Sequence, residues 1–259
     1  MVCLDKEYLD KGYIGCFDMA DKAQGEAQLA AYVKQLTDAG HQRIIAPING
    51  DTWHAYRLVS WTNGDAAFPL EPQNPLWYNE VYQAQGFTLL MKYRSDKFAI
   101  DNVTPMDMGD VRIRGFGLAD LPLIYDMSRI GFDGNFLYSD IAYHDFSKLY
   151  QPMLPFLDGA LAVVAEVDGA PAGFIFSYLA ARRLVPKTMA VLPDFRNRGV
   201  GAKLINAVLL AAREKGVKTA IAALMSEGNH SHKIVDKYGS EKIREYTLYS
   251  LDVTTRGAS

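Results

Sequence analysis

Residues 191–204 read VLPDFRNRGVGAKL, and this stretch decides the fold. It places two arginines and two glycines between an apolar, strand-like segment and a longer segment whose apolar residues have helical spacing. The first N–H groups of a helix have no partner inside the helix, and the macrodipole makes that end positive. Glycines let a bulky anion approach those N–H groups. The stretch is therefore suited to hold a pyrophosphate.

Two common phosphate-binding motifs do not fit this turn. A P-loop requires Gly-Lys-Ser/Thr, whereas Gly201 is followed by Ala202, Lys203 and Leu204. The dinucleotide fingerprint requires a third glycine where Leu204 stands, and it normally opens the first βαβ unit of a chain. Only two predicted strands follow this turn, which argues further against the dinucleotide fingerprint. Neither motif therefore fits.

The pattern R-x-x-G-x-G at 196–201, preceded by V-x-P at 191–193, resembles the acetyl-CoA-binding motif of the GNAT N-acetyltransferases. The order of predicted elements over 111–251 resembles the same superfamily: a strand, two helices, a three-stranded meander, the motif helix, a strand, a short helix and a last strand. The resemblance implies an α/β fold with a mixed sheet, the GNAT acyl-CoA N-acyltransferase fold, and acetyl-CoA as co-substrate. The alternative is a plain strand–loop–helix corner with arginines facing water.

The first half of the chain weakly repeats the later part of this pattern. The segment NPLWYNEVYQAQGFTLLMKYRS, 74–95, is similar in layout to NHSHKIVDKYGSEKIREYTLYS, 229–250. We interpret 1–95 as a degenerate partial GNAT-like domain, 96–110 as a linker and 111–259 as the acetyl-CoA-binding GNAT domain. Chance similarity of two α/β stretches is the alternative interpretation.

The first-half equivalent of the turn is DMADKAQGEA, 18–27. It has one glycine, no arginine and three acidic residues, so it should repel an anion. We therefore expect no CoA in the first half.

For the first half the patterns also predict a strand at 13–19, a helix at 22–38 and a hairpin around Asn63-Gly64. Helices are predicted near 119–130 and 140–150 in the second half, and Pro186 predicts an irregularity in the third meander strand.

Composition limits the class of protein. The 259 residues are 49% hydrophobic and 22% charged with a net charge of −3, so a sizeable core is expected and no basic field favours nucleic acid. Cys3 and Cys16 do not make a secreted disulfide framework. The start of the chain is charged, and no apolar stretch approaches the ~20 residues of a membrane helix. We expect a cytoplasmic monomer or homodimer with no membrane or nucleic-acid partner.

The resemblance assigns cofactor roles to individual residues. The strand 189–191 would offer backbone N–H groups to the pantetheine and the acetyl carbonyl, through Ala190 and Val191, with Val191 at the carbonyl. Asn229 opens the short helix where the family often places an asparagine that touches pantetheine, although a helix N-cap role is an equal alternative. The remaining cofactor ligands would come from the turn: Arg196, Asn197, Arg198, Gly199, Val200, Gly201 and Ala202.

The catalytic groups depart from the family pattern. The usual acid is a tyrosine seven residues after the asparagine, but Asp236 stands there and Tyr238 lies on a different helix face. Asp236 is either a protonated acid or a solvated surface residue, or the cofactor is held without turnover. The strand 184–191 has no carboxylate, so Glu227 after the next strand is the nearest candidate base.

The acceptor wall is expected from the two helices at 120–150. Tyr138, Tyr143 and His144 supply polar tips there, although packing is the alternative role. His230 and His232 lack further ligands at metal spacing, so no metal is expected.

Three functions remain open on these residues. The first is an N-acetyltransferase moving an acetyl group from acetyl-CoA to a primary amine of a small molecule or peptide. The second is a non-catalytic CoA-binding or regulatory module, which the missing tyrosine favours. The third is a binding protein that uses the first half as its interaction surface.

Overall fold

The computed structural model describes residues 11–151, 153, 157–227 and 235–253. The chain divides into two compact units, one built from Met1–Arg94 with Ile243–Ser259 and the other from Ser95–Lys242. Each helix in the described ranges is too short or too polar to cross a bilayer.

The first unit contains two helices on a mixed sheet. Its elements are β1 (Lys11–Tyr13), α1 (Lys22–Asp38), β2 (Arg43–Ala46), β3 (Leu58–Thr62), α2 (Tyr78–Ala84), the start of β4 (Thr88–Ala99) and most of β10 (Glu241–Asp252). The strand order is β1-β2-β10-β4, with β1 parallel to β2, β10 antiparallel to β2, and β3 also paired with β10. The core of this unit includes Leu29, Val33, Ile44, Val81, Tyr82 and Leu251.

The predicted helix at 22–38 is confirmed, whereas the predicted strand at 13–19 is wrong after Tyr13, because β1 covers Lys11–Tyr13 and residues 14–19 form no strand. The hairpin expected at Asn63-Gly64 does not form. Instead β3 pairs with β10 along Leu58↔Thr247 and Arg244↔Thr62. A turn dipeptide indicates a local chain reversal, but it does not determine whether the returning segment pairs with its neighbour.

A buried ion pair holds the returning segment in place. The side chain of Glu71 is fully buried, and its Oε1 lies 3.2 Å from Nε of Arg244 in β10. The hydroxyl of Tyr246 donates to the same oxygen, and the Phe68 N–H donates to the other carboxylate oxygen at 3.1 Å. Removing one partner of such a pair costs about 3–5 kcal/mol because a buried charge is left unpaired. The C-terminal strand is thus an integral part of the first unit.

The second unit contains a meander, two helices on one stretch of chain, and a strand–helix–strand segment. Its elements are β5 (Val111–Gly115), α3 (Leu121–Phe132), α4 (Tyr143–Tyr150), β6 (Ala162–Val167), β7 (Ala170–Ala180), β8 (Arg183–Val191), α5 (Val200–Glu214) and β9 (Thr219–Ser226). Strands β5 to β8 are antiparallel neighbours, β9 is parallel to β8, and the end of β4 lies beside β9.

The predicted elements of this unit are largely confirmed. Helices α3 and α4 lie where the apolar spacing predicts them, with boundaries shifted by two or three residues at most. The ladder between β7 and β8 changes register between Phe176 and Ser177, opposite Pro186. Proline cannot donate to a ladder, so the predicted irregularity is a register shift at this point.

The segment expected to be a linker makes specific contacts instead. Residues 96–99 continue β4. The side chain of Asn206, in α5 and only 3% exposed, accepts the Met106 N–H at 3.1 Å and donates to Thr104 O at 2.9 Å. Lys203 donates to a further carbonyl of the same segment at 2.9 Å. Contacts made through backbone hydrogen bonds do not require apolar residues at regular spacing. The sequence of this segment therefore gave no sign of them.

The structure assigns residues 243–253 to the first unit, although the sequence division placed them in the second domain. The division into domains 1–95 and 111–259 therefore remains a prediction about independent folding.

We expect the isolated fragment 1–95 not to fold. It lacks β10, which pairs with both β2 and β3, and it leaves the Glu71 carboxylate without Arg244. Thermal melting and size-exclusion chromatography against the full chain are the measurements. A monomeric fragment with a cooperative melt contradicts the expectation.

Candidate functional site

Strands β8 and β9 form a short parallel ladder. Their parallel ladder joins Arg183 to Thr219 and Leu184 to Ala220. Within the described residues the ladder has no further pairs. Strand β8 nevertheless continues to Val191 and β9 to Ser226. The later part of β8 therefore has no ladder partner in β9 among the described residues, and its N–H groups on that side are the ones a ligand could use.

The alternation of the strand identifies the groups on the open edge. The Leu192 N–H donates to Ala172 O at 2.9 Å, toward β7. Successive residues point in opposite directions, so the N–H groups of Met189 and Val191 face the open edge, while that of Ala190 faces β7. The predicted contact at Val191 is consistent with this geometry, whereas the Ala190 backbone points away from the opening.

The N-terminus of α5 lies directly after this strand and is uncapped. Gly199 is the N-cap residue, with φ of 76°, a left-handed conformation that favours glycine. The first helical bond runs from Lys203 N–H to Gly199 O at 3.0 Å. The N–H groups of Val200, Gly201 and Ala202 have no hydrogen-bond partner within the described residues. Three such N–H donors at the positive end of a helix are suited to an anion.

The corresponding end of α1 is filled by the chain itself. Asp21 caps that helix by accepting the Gln24 N–H at 2.8 Å, and the Gln24 side chain accepts the Ala20 N–H at 3.1 Å. A carboxylate thus occupies the place that an anion would need. The two helix starts therefore differ in both charge and available donors.

The two arginines of the motif are engaged by protein groups. Arg196 donates from Nε to Val191 O at 3.3 Å and from Nη2 to Gly131 O at 3.2 Å. Arg198 pairs with the exposed carboxylate of Asp110 at 2.8 Å. Arg198 stays a predicted phosphate ligand, whereas the two carbonyl contacts of Arg196 indicate a different role for that side chain; the turn itself offers backbone N–H groups.

The candidate catalytic residues lie at the surface. Glu227 is exposed in the turn after β9. Asp236 is also exposed, and its Oδ1 accepts from the Ser240 hydroxyl at 3.5 Å. Tyr238 stacks on Phe98 with ring centroids 5.4 Å apart. Asn229, His230 and His232 lie outside the described residues.

Tyr138, which was expected to line the acceptor site, contacts the end of α3 instead. The Tyr138 hydroxyl lies 3.4 Å from both Arg129 O and an Asp140 carboxylate oxygen. Desolvation and the nearby Asp140 carboxylate raise the pKa of Tyr138 to about 12, so the hydroxyl stays protonated. Arg129 holds Asp140 through two bonds of 2.7 and 2.8 Å, and this pairing lowers the pKa of Asp140. Tyr143 and His144 face solvent.

Two contacts at β8 were missed by the sequence analysis. Tyr150 of α4 is buried, stacks on Phe146 at 4.5 Å, and is hydrogen-bonded to Thr188; burial raises its pKa. A Cβ placed on Gly131 of α3 would lie 2.7 Å from the Cβ of Ala190. A glycine inside a helical pattern often marks close packing, and that signal was present at Gly131.

The comparisons with known proteins agree with this geometry. Residues 158–239 match the family model for an acetyltransferase (GNAT) domain. A GCN5-related N-acetyltransferase from Sphaerobacter thermophilus is 12% identical with a TM-score of 0.62, covering 90% of this chain and 69% of its own. A tandem GNAT protein from the clavulanic acid biosynthesis pathway is 14% identical with a TM-score of 0.56, covering 91% and 71%.

A glucosamine N-acetyltransferase region of a fungal multi-domain β-N-acetylglucosaminidase has a TM-score of 0.55 at 12% identity, covering 85% of this chain but 27% of its own. A comparison with curated proteins gave no match. The match to the family model is confined to residues 158–239. The chain has the GNAT acyltransferase fold with a preceding GNAT-like repeat, as the sequence predicts.

We expect Gly201→Val to weaken acetyl-CoA binding by at least about tenfold, or roughly 1.4 kcal/mol. A Cβ at this position would already contact the side chains of Val191 and Met189 at 3.6 and 3.7 Å, so two further methyl groups crowd the open edge of β8. Helix propensity changes little between glycine and valine, so the melting temperature should be nearly unchanged.

Calorimetric titration of acetyl-CoA measures this effect, with Gly201→Ala as the matched control. The single Cβ of that control is at ordinary contact distance, so it should cost less affinity. Unchanged binding in Gly201→Val contradicts the assignment of the phosphate site.

Proposed function

We propose that the unit formed by Ser95–Lys242 binds acetyl-CoA and transfers the acetyl group to a primary amine of a small molecule or peptide. One arrangement carries the proposal: the open edge of β8 leads directly to the uncapped start of α5. Backbone N–H groups along a strand edge suit the amides of pantetheine, and donors at a helix start suit its pyrophosphate. Both parts of one ligand are thus accommodated by consecutive chain segments.

The transfer requires three contributions from the protein. An amine that titrates near ~10 must lose a proton before it attacks the thioester carbonyl, and Glu227 is our candidate base. The carbonyl oxygen then gains charge, which the N–H groups of Met189 and Val191 are directed to stabilise. The nitrogen then loses its second proton to water, the carbon–sulfur bond breaks as the amide forms, and the departing thiolate takes up a proton. Asp236 and water are the two candidate donors of that proton.

A second candidate function is a CoA-binding module without turnover. The observation that favours it is the surface position of Asp236 together with the packing of Tyr238 against Phe98. The two functions share the same cofactor site and differ in the chemical step.

We expect one acetyl-CoA per chain and release of free thiol when an amine acceptor is supplied. Calorimetry gives the stoichiometry, and a thiol reagent with a panel of small amines and peptides gives the turnover. The capped start of α1 provides no second site. Two equal sites per chain, or no binding, contradict the proposal. One site without thiol release across the panel favours the non-catalytic module.

We expect Asp236→Asn to retain most of the activity. The side chain is exposed, so water can protonate the thiolate in its place. The rate of thiol release and the affinity for acetyl-CoA should both stay within about threefold of the unchanged protein. A drop of a hundredfold or more in turnover, about 2.7 kcal/mol of lost transition-state stabilisation, would make Asp236 the acid instead.

A further inference from the structure

The side chain of Arg196 joins three parts of the second unit. Its Nε donates to Val191 O at the end of β8, and its Nη2 donates to Gly131 O in the last turn of α3. Arg196 itself lies in the loop before α5. The planar guanidinium presents several donors in a fixed fork, so it can satisfy two separate carbonyls, which the single ammonium of lysine does less well.

The end of α3 is also pressed closely against β8. A Cβ on Gly131 would come within 2.7 Å of the Cβ of Ala190, a distance that requires something to move. The carbonyls in the last turn of a helix are unpaired within the helix, and that end of the macrodipole is negative. A cation beside the Gly131 carbonyl is therefore favourable. The absence of a side chain on Gly131 allows α3 to lie close to Ala190 of β8.

We propose that Arg196 is a positioning residue that holds the C-terminal end of α3 against β8. This inference rests on the proposed function. The side chain of Ala190 meets α3, while its neighbours Met189 and Val191 turn their N–H groups to the open edge. The distance between α3 and β8 therefore sets where an acceptor amine lies relative to the thioester.

The geometry favours this role over direct phosphate binding. Two of the five N–H donors of Arg196 are held by the carbonyls of Val191 and Gly131, and these two contacts fix the plane of the guanidinium. The anion contacts are instead available from the N–H groups at 200–202. Arg198 differs from Arg196, because its partners are an exposed carboxylate at 2.8 Å and the ring of Phe195 at 5.5 Å.

The test compares Arg196→Ala and Arg196→Lys with Arg198→Ala. Hydrogen exchange of the peptide covering 129–135 is measured without any ligand, and acetyl-CoA affinity is measured by calorimetry. We expect Arg196→Ala to speed exchange at least tenfold while changing the acetyl-CoA Kd less than threefold. Arg196→Lys should not restore slow exchange, and Arg198→Ala should leave exchange in this peptide unchanged. With an acceptor identified by thiol release, Arg196→Ala should raise the acceptor KM more than it lowers kcat.

A second pair of variants tests the packing without touching Arg196. Gly131→Ala should speed exchange in the same peptide, because its new methyl group meets Ala190. Adding Ala190→Gly removes that contact, so the double variant should return toward the exchange rate of the unchanged protein. A double variant no better than Gly131→Ala contradicts the packing argument.

Two results overturn the positioning role. One is unchanged exchange at the end of α3 in Arg196→Ala, and the other is a rise of tenfold or more in the acetyl-CoA Kd of that variant. If the unchanged protein binds no acetyl-CoA, the proposed function fails. The exchange measurement, made without ligand, still decides whether Arg196 holds α3.

Discussion

The early end of the ladder between β8 and β9 is the constraint on which the rest of the site depends. Two parallel strands that are both eight or nine residues long pair at two positions near their starts. An open strand edge is a liability in most proteins, because unpaired N–H and C=O groups attract other chains. Here the edge lies between β8 and β9 inside the second unit rather than at the rim of the sheet, which limits what can approach its donors.

The start of α5 adds a positive partial charge beside this strand, because its first N–H groups have no partner. A helix start with a left-handed glycine at the N-cap cannot satisfy its own donors through a side chain. The start of α1 solves the same problem with Asp21 and has no donors to spare. The helices α5 and α1 therefore differ in whether a side chain caps their first N–H groups. One residue at the N-cap decides whether a helix start is closed by the chain or left for an anion.

The sequence predicted what depends on local patterns. The helix after the motif at 196–201 and the order of strands and helices from β5 to β9 follow from residue spacing, and the structure confirms them. Strand partners could not be predicted in the same way. The apolar pattern of β3 indicates a strand, but its pairing with β10, some 180 residues later, depends on the buried Glu71–Arg244 contact.

The site residues show the same limit at the level of side chains. Two arginines beside a phosphate turn suggest phosphate ligands, yet backbone carbonyls and Asp110 compete for them. Sequence spacing places a charge near a site without showing which neighbour it contacts. The role of Gly131 likewise becomes clear only when Ala190 is seen beside it.

The most direct test of the account is backbone hydrogen exchange measured with and without saturating acetyl-CoA. We predict slower exchange in the segments 189–191 and 199–202, where the open strand edge and the uncapped helix start supply donors. Exchange at 20–24, the capped start of α1, should not change. Unchanged exchange at 199–202, or protection that appears at 20–24 instead, would contradict the central claim that these two segments hold the cofactor.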